Sequence, residues 1–535
     1  MAASDSIRRH LARLTLALVL LGPLQAGQTF SVYCYHDVED QPSREAADTI
    51  TVRRLVEHFE WLKAEGYTVI SVDDVLAAHA GVRPLPAKAI LLTFDDGYTS
   101  FATRVLPLLE AYRYPAVFAF VTSWLEVPPG GQVPYGSTPV PREKFVTLEQ
   151  LRRIAASPWV EVASHSHNLH RGLLANREGN ELPAAIAREY DRATDTIETA
   201  EAYARRLHDD LARSAAVLEA LTGKRPRTLC WPYGRFNEIG IDAAHAVGYS
   251  VIFDLNPGEA NTDNIDSIPR YYPSRDPSAA VMERMIRPEV QPPLHRSARV
   301  DPMTIALAPT NAERDAGLGA LIDSTRALGL TTLQLEAFSD LDGDGRPDTA
   351  FFPGSKFACP LDYLNRLAWQ LRTRGGVNIV VRVPLATTDE TDWNALGQAV
   401  PFDGVMFTDF ISGRDDPARL HAALKVLRRY QPALRLHLQV PPNPAEAGDW
   451  TALQPTLVWP KRAPGPKELD GWLHTPAARG RVALALTPTE VLDSADWLAR
   501  GVAHFALDGP PPPKTGLTPA LQQGLSARSD PFARP

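Results

Sequence analysis

Short apolar runs alternating with helical stretches constrain this chain more than any other feature. The runs are residues 30–35, 67–72, 89–94, 116–122, 160–163, 228–231 and 251–254. Between them lie helical patterns: 51–65, stopped by Gly66; 75–80; 98–112; a helix capped by Thr147 with Gln150 in the capping-box position; and a long stretch within 176–222. Strands separated by helices pair in parallel, because each crossover lays a helix on the sheet. The fold class is therefore α/β, with a sheet either open or closed into a barrel. Arg205, Arg206, Asp209, Asp210 and Arg213 read as the solvated face of the long helix.

A stretch at 279–300 interrupts this pattern. It holds one short helix at 279–286, then Pro288, Pro292 and Pro293, and reads as a linker. The alternation then resumes with runs at 303–307, 332–338, 378–383, 404–408, 435–440, 456–459, 482–486 and 504–507. Eight such runs predict a second, (β/α)8-like barrel, somewhat short of the usual ~250 residues. The expected organisation is an export signal at 1–26, a first domain at 27–278, the linker at 279–300, a second domain at 301–510 and a loose tail at 511–535.

Chemistry collects at the ends of the runs. The apolar run 89–94 stops at two adjacent carboxylates, Asp95 and Asp96, followed by Gly97. Where a strand ends the backbone turns, so both acids can face one cleft. Two close anions repel and need a positive partner. A metal ion can bind one and leave the other free as a base. Taken alone, Asp-Asp-Gly is also an ordinary turn. The run at 160–163 leads into Ser164-His165-Ser166-His167-Asn168-Leu169-His170. One histidine is commonly structural, but three within six residues suit a divalent transition metal. The run at 228–231 leads into Pro232-Tyr233-Gly234-Arg235, and the run at 30–35 into His36-Asp37-Val38. Residues 124–146, rich in Pro and Gly, form a loop able to overhang a site.

A net charge of −8 without a long basic run argues against nucleic acid and fits a neutral or cationic polymer. Arg8, Arg9 and Arg13 precede a short apolar core at 14–21, then Gly22-Pro23 and Leu24-Gln25-Ala26, the pattern of a secretory signal. That core is too short to span a bilayer, and no later segment is long and apolar enough. The mature chain is expected to be exported and to carry no transmembrane helix. Of three cysteines, Cys34 and Cys230 end apolar runs near the candidate site, as buried thiols or as a pair; Cys359 is the third, and an odd count leaves at least one unpaired.

Thr93-Phe94-Asp95-Asp96-Gly97, the His165 cluster and Trp231-Pro232-Tyr233-Gly234 resemble the ordered motifs of the polysaccharide deacetylases, carbohydrate esterase family 4 with the NodB-like fold. The resemblance implies a distorted (β/α)7 barrel holding one divalent metal through an Asp and two His. It makes Asp95 the catalytic base and Asp96 and His165 metal ligands. The usual spacing of the second His points here to Leu169. His170 fits a subgroup, with His167 as the alternative. That subgroup is the poly-β-1,6-N-acetylglucosamine deacetylases of biofilm export, whose barrel is circularly permuted and whose catalytic His comes early, in Tyr-His-Asp-Val. Tyr35-His36-Asp37-Val38 matches and makes His36 the general acid. Pro232, Tyr233 and Gly234 would bind substrate, with a backbone N–H near Tyr233 on the oxyanion. An Arg stands two residues before the motif's Pro in the family. Here that place is Cys230, and Arg235 or Arg270 would have to substitute. The resemblance further implies one divalent transition metal ion (Zn, Ni, Co or Fe), a β-1,6-N-acetylglucosamine polymer as substrate, outer-membrane export machinery as partner, and the periplasm as location.

Residues 333–344, Phe351-Phe352-Pro353, 368–374 and 402–409 are similar to the C-terminal domain of the same subgroup, which binds polymer and in some members cleaves it. The family's motif has two adjacent Asp; here Asp409 is followed by Phe410, and a later Glu-Leu-Gln segment appears as Ala483-Leu484-Ala485-Leu486. Glycoside hydrolysis uses two carboxylates, so polymer binding is favoured over cleavage. Asp409 and Asp340 are then candidate sugar contacts, and Trp393, Trp450, Trp459 and Trp472 candidate stacking faces. The Asp340 to Gly345 loop has EF-hand-like spacing, but position twelve is Phe351. The expected function is metal-dependent N-deacetylation of an exported polysaccharide. The alternatives are a bifunctional deacetylase and glycoside hydrolase, and a non-catalytic carbohydrate-binding export factor. Asp95, Asp96, His165 and His36 together argue against the last.

Overall fold

The structure is a computed structural model. It describes residues 27–41, 48–135, 138–287, 295–460, 465–487 and 504–513, with positions 490, 497, 500, 502 and 525. The expected signal at 1–26, the prolines at 288–293 and most of the tail lie outside the described residues. The chain divides into two compact units that interleave in sequence. The first comprises Met1–His170, His208–Arg235 and Ala244–Ile286, and the second Arg171–Leu207, Phe236–Ala243 and Arg287–Pro535.

In the first unit six parallel strands are β1 (Thr29–Tyr35), β2 (Ala89–Phe94), β3 (Ala116–Phe120), β4 (Val160–Ser164), β5 (Thr228–Cys230) and β6 (Val251–Phe253), adjacent in that order. Residues 268–271 then bring the ends together: Ile268 bridges Phe253 and Tyr271 bridges Tyr33, both in parallel. The sheet so curls nearly to closure with a seventh stave. Strand β2 is buried at every position, which is what a parallel strand covered on both faces requires. Helix Val52–Ala64 starts where the Thr51 side chain accepts from the Arg54 N–H, and Leu148–Ala156 carries the expected Thr147–Gln150 capping box.

Three local expectations change. The run at 67–72 shortens to Thr68–Val69, because Ser71 and Asp74 form a capping box that starts a helix at Val72. Residues 98–112 are not one helix but a π-helical turn, Phe101–Val105, followed by Leu106–Tyr112. Within 176–222 only Ala200–Thr222 is helical; short antiparallel pairs, Gly172–Leu174 with Glu181–Pro183 and Tyr190–Asp191 with Thr196–Ile197, precede it.

In the second unit eight strands are β7 (Arg296–Val300), β8 (Thr332–Glu336), β9 (Asn378–Val383), β10 (Gly404–Phe407), β11 (Arg435–Val440), β12 (Leu457–Pro460), β13 (Ala483–Leu486) and β14 (His504–Leu507). They run in the parallel order β12-β11-β10-β9-β8-β7-β14-β13, and a Val458–Val482 bridge joins the two ends. The expected first strand at 303–307 is instead a helix, Met303–Ala306, and the true first strand β7 lies inside the expected linker. Its sequence, Arg-Ser-Ala-Arg-Val, hides its burial. Arg296 is only 2% exposed, with its guanidinium 4.5 Å from the Phe505 ring centroid. Among the described residues no helix is long and apolar enough to cross a membrane.

Candidate active site

At the end of β2 the chain turns through Asp96 (φ 69°) and Gly97 (φ 78°). A left-handed Asp is costly and tends to mark a functional turn. At Gly97 a Cβ would stand 2.1 Å from Phe120 Cδ2, so this turn packs only with glycine. The turn sends the two carboxylates to different partners.

Asp95 meets Arg270, which is fully buried in the segment that closes the sheet. Arg270 Nη1 donates to Asp95 Oδ1 at 2.8 Å and to Thr93 Oγ1 at 3.0 Å. Its Nη2 lies 2.8 Å from Oδ2, and its Nε donates to the Asp254 carbonyl at 2.6 Å. Burial alone would raise the Asp95 pKa. The Arg270 guanidinium, followed by His165 and His36, reverses that and holds the carboxyl below its usual range. Of the two candidate arginines, Arg270 pairs directly with Asp95. Cys34 and Cys230 are buried free thiols, not a disulfide, and burial pushes both up. Cys34 Sγ lies 3.4 Å from Asp95 Oδ2.

Asp96 meets the histidines. Its Oδ1 lies 3.2 Å from His165 Nε2 and 3.2 Å from His170 Nε2. His165 Nδ1 is 2.8 Å from the Cys230 carbonyl, which can only accept, so Nδ1 carries the proton and Nε2 presents its lone pair. A lone pair thus faces a buried carboxylate oxygen that has no hydrogen-bond donor. A cation between them resolves this, and the ligand atoms of Asp96, His165 and His170 all lie within 4.8 Å of one another. His167 is not in this group. Its Nδ1 is 2.9 Å from Thr122 Oγ1 and its Nε2 is 3.8 Å from Glu126. Ser166, at φ 69°, makes the turn between them. Asp210 anchors the loop by accepting from the N–H groups of His167 and Asn168, each at 2.8 Å. It is therefore not part of a merely solvated helix face.

His36, at the end of β1, places Nε2 4.0 Å from Asp96 Oδ2, with its ring edge-on to Tyr272 at 5.1 Å. Tyr233 adopts φ 57° and its ring centroid lies 4.5 Å from that of His170. Pro232 and Gly234 are buried beside it; a Cβ on Gly234 would meet Leu255 Cβ at 2.3 Å. Sequence reasoning missed Tyr135, whose hydroxyl donates to Asp96 Oδ2 and whose ring centroid is 5.1 Å from that of His170. It belongs to a hairpin, Gln132–Tyr135 with Thr138–Pro141, inside the expected loop. An aromatic between Pro134 and Gly136 was the available signal.

The second unit's candidates are placed otherwise. Asp409 accepts from the N–H groups of Leu385 at 2.6 Å and Ala386 at 2.8 Å. Asp340 accepts from those of Gly343 and Gly345, each at 2.8 Å, and so braces its own loop. Phe351 is core, as are Trp393, Trp450, Trp459 and Trp472. The four tryptophans are therefore not exposed stacking faces: burial in the barrel won over surface display.

A family model described as polysaccharide deacetylase matches residues 82–252, and one described as hypothetical glycosyl hydrolase family 13 matches residues 307–401. The chain is 37% identical over 360 residues to the poly-beta-1,6-N-acetyl-D-glucosamine N-deacetylase of Escherichia coli K12, covering 67% of this chain and 53% of that protein. It therefore spans about half the length of that curated relative. A solved structure of a de-N-acetylase from Aggregatibacter actinomycetemcomitans is 37% identical, with TM-score 0.46, covering 48% of this chain and 100% of that one. The BpsB deacetylase domain from Bordetella bronchiseptica is 43% identical, with TM-score 0.42, covering 46% of this chain and 95% of that one. The chain thus carries a polysaccharide deacetylase domain at residues 82–252, within which this Asp-His-His cluster lies, followed by a segment at 307–401 similar to a glycosyl hydrolase family.

Proposed function

We propose that this chain is a metal-dependent N-deacetylase of poly-β-1,6-N-acetylglucosamine, releasing acetate and leaving free amines on an exported biofilm polysaccharide. The observation that carries the reading is the buried Asp96 Oδ1 facing the Nε2 atoms of His165 and His170. That N,N,O donor set suits a divalent transition metal such as Zn, Ni, Co or Fe. A bound cation would make a water more acidic and polarise the acetamido carbonyl.

Asp95, kept ionised by Arg270, takes the proton from the attacking water. The backbone turn at Tyr233 faces the tetrahedral oxyanion. When the C–N bond breaks, His36 gives a proton to the leaving sugar nitrogen, and acetate departs. Pro232, Tyr233 and Gly234 line the sugar. In the second unit, Asp409 has each carboxylate oxygen held by a backbone amide, which argues against acid–base cleavage there. The basic, apolar and small-residue order of residues 1–26 supports export to the periplasm, where outer-membrane export machinery would be the partner.

Amine release from a β-1,6-N-acetylglucosamine oligomer, with and without chelator, tests the reading. Release that chelation abolishes and added metal restores is the expected result. Chelator-insensitive release, or none from metal-loaded protein, overturns it.

A further inference from the structure

A second group of donor side chains stands beside the Asp96 cluster, and the chemistry above leaves its sulfur unused. In the register of β1 on β2, Cys34 lies level with Thr93. Side chains two apart share a face, so Cys34 and His36 turn to the same side as Thr93 and Asp95. The ligand atoms of Cys34, His36 and Asp95 all lie within 4.8 Å of one another. Cys34 is fully buried, with its Sγ 3.4 Å from Asp95 Oδ2. The Nδ1 of His36 is buried without a hydrogen-bond partner. A structural buried cysteine is ordinarily inert, but this one faces the base. One sulfur, one imidazole nitrogen and one carboxylate oxygen are the ligand types of zinc, with a fourth position left for water. His36, 12% exposed, gives this group its opening to the cleft.

We propose that Cys34, His36 and Asp95 form a second, inhibitory site for a thiophilic divalent ion, Zn²⁺ above all. The inhibition, though not the site itself, rests on the deacetylase reading. Asp95 bound through its carboxylate no longer takes the proton of the attacking water. His36 bound through a ring nitrogen is no longer the imidazolium that protonates the leaving amine. One ion thus blocks base and acid together. On binding, the Cys34 S–H bond breaks, a sulfur–metal bond forms and the proton passes to solvent. Arg270, 2.8 Å from Asp95 Oδ1, repels a cation here, as does an ion held by Asp96. The charge gained by the sulfur offsets this in part. The second ion therefore binds more weakly than the first and acts only at metal excess.

Titration of the metal-free full chain with Co²⁺, a coloured stand-in for Zn²⁺, tests the site. A sulfur-to-cobalt charge-transfer band is expected in the near ultraviolet, saturating at one thiolate-bound ion per chain. It should be absent from Cys34→Ser and should survive in His165→Ala, which empties only the first site. Amine release across rising Zn²⁺ reads the inhibition. In the parent chain it should pass through a maximum and fall. Cys34→Ser, referred to its own maximum, should need at least about tenfold more Zn²⁺ for the same fall. No band, the same band in Cys34→Ser, its loss in His165→Ala, or equal zinc sensitivity of the two proteins overturns the proposal. A Cys34-dependent band without amine release at any metal level would sink only the deacetylase reading. Amine release without the band would sink only this one.

Discussion

The Tyr135 hydroxyl donates to Asp96 Oδ2 while Asp96 Oδ1 faces the Nε2 atoms of His165 and His170. The two oxygens of one carboxylate are thereby divided, one to the protein and one to the candidate metal. Groups that orient a ligand in this way typically set metal affinity by 10- to 100-fold. Tyr135→Phe is expected to weaken metal binding by about that factor with the fold intact, read by chelator competition. Unaltered affinity would show that the hydroxyl orients nothing.

Arg270 and Asp95 are a buried pair, and breaking one side of such a pair costs about 3–5 kcal/mol. Arg270→Met should therefore lower stability by about that much in denaturant unfolding. Asp95→Asn in the same chain should recover part of the loss, because no uncompensated charge remains. Additive losses in the double variant would contradict the coupling.

Asp95→Asn and His165→Ala should separate the job of the base from that of the metal-holding group. The first is expected to reduce amine release by at least about 100-fold while keeping bound metal. The second should lose the metal as well. Metal content by elemental analysis, beside the rate, decides between them; full activity in Asp95→Asn would remove it as the base.

In the second unit His437 is pushed down to about 3, by burial first and then by the positive Arg435 and His504. His295 and His504 shift the same way, chiefly by burial. An unfolded histidine titrates near 6.5. Between those values the unfolded chain binds a proton that the folded chain refuses. The stability from neutral His437 is therefore complete above about pH 6.5 and is lost as pH falls toward 3, by up to about 1.4 kcal/mol per unit. Urea midpoints at pH 7 and pH 5 should show the fall, and His437→Gln should flatten it. An unchanged slope in that variant would mean that other groups carry the acid sensitivity.

The strands of both barrels were legible where buried runs were plainly apolar, as at Ala89–Phe94, Ala116–Phe120 and Gly404–Phe407. Strand β7 was not, because Arg296 buries its stem and charge against Phe505 and so reads as polar. The long helix was overextended for the opposite reason: helical propensity in 176–199 yields to short strand pairs in the tertiary setting.

The sequence by itself determined the ordered motifs at the strand ends, because a parallel sheet delivers each strand's last residues to one rim: His36, Asp95, Asp96, His165 and Tyr233. It did not decide between His167 and His170, or between Arg235 and Arg270, because those depend on how loops turn after the strand ends. The left-handed Ser166, the Asp210 anchor and the return of residues 268–271 to β1 settle which side chains face the cleft. Tyr135 reaches Asp96 from 39 positions away through a hairpin, and only the tertiary structure could bring that hydroxyl to the site.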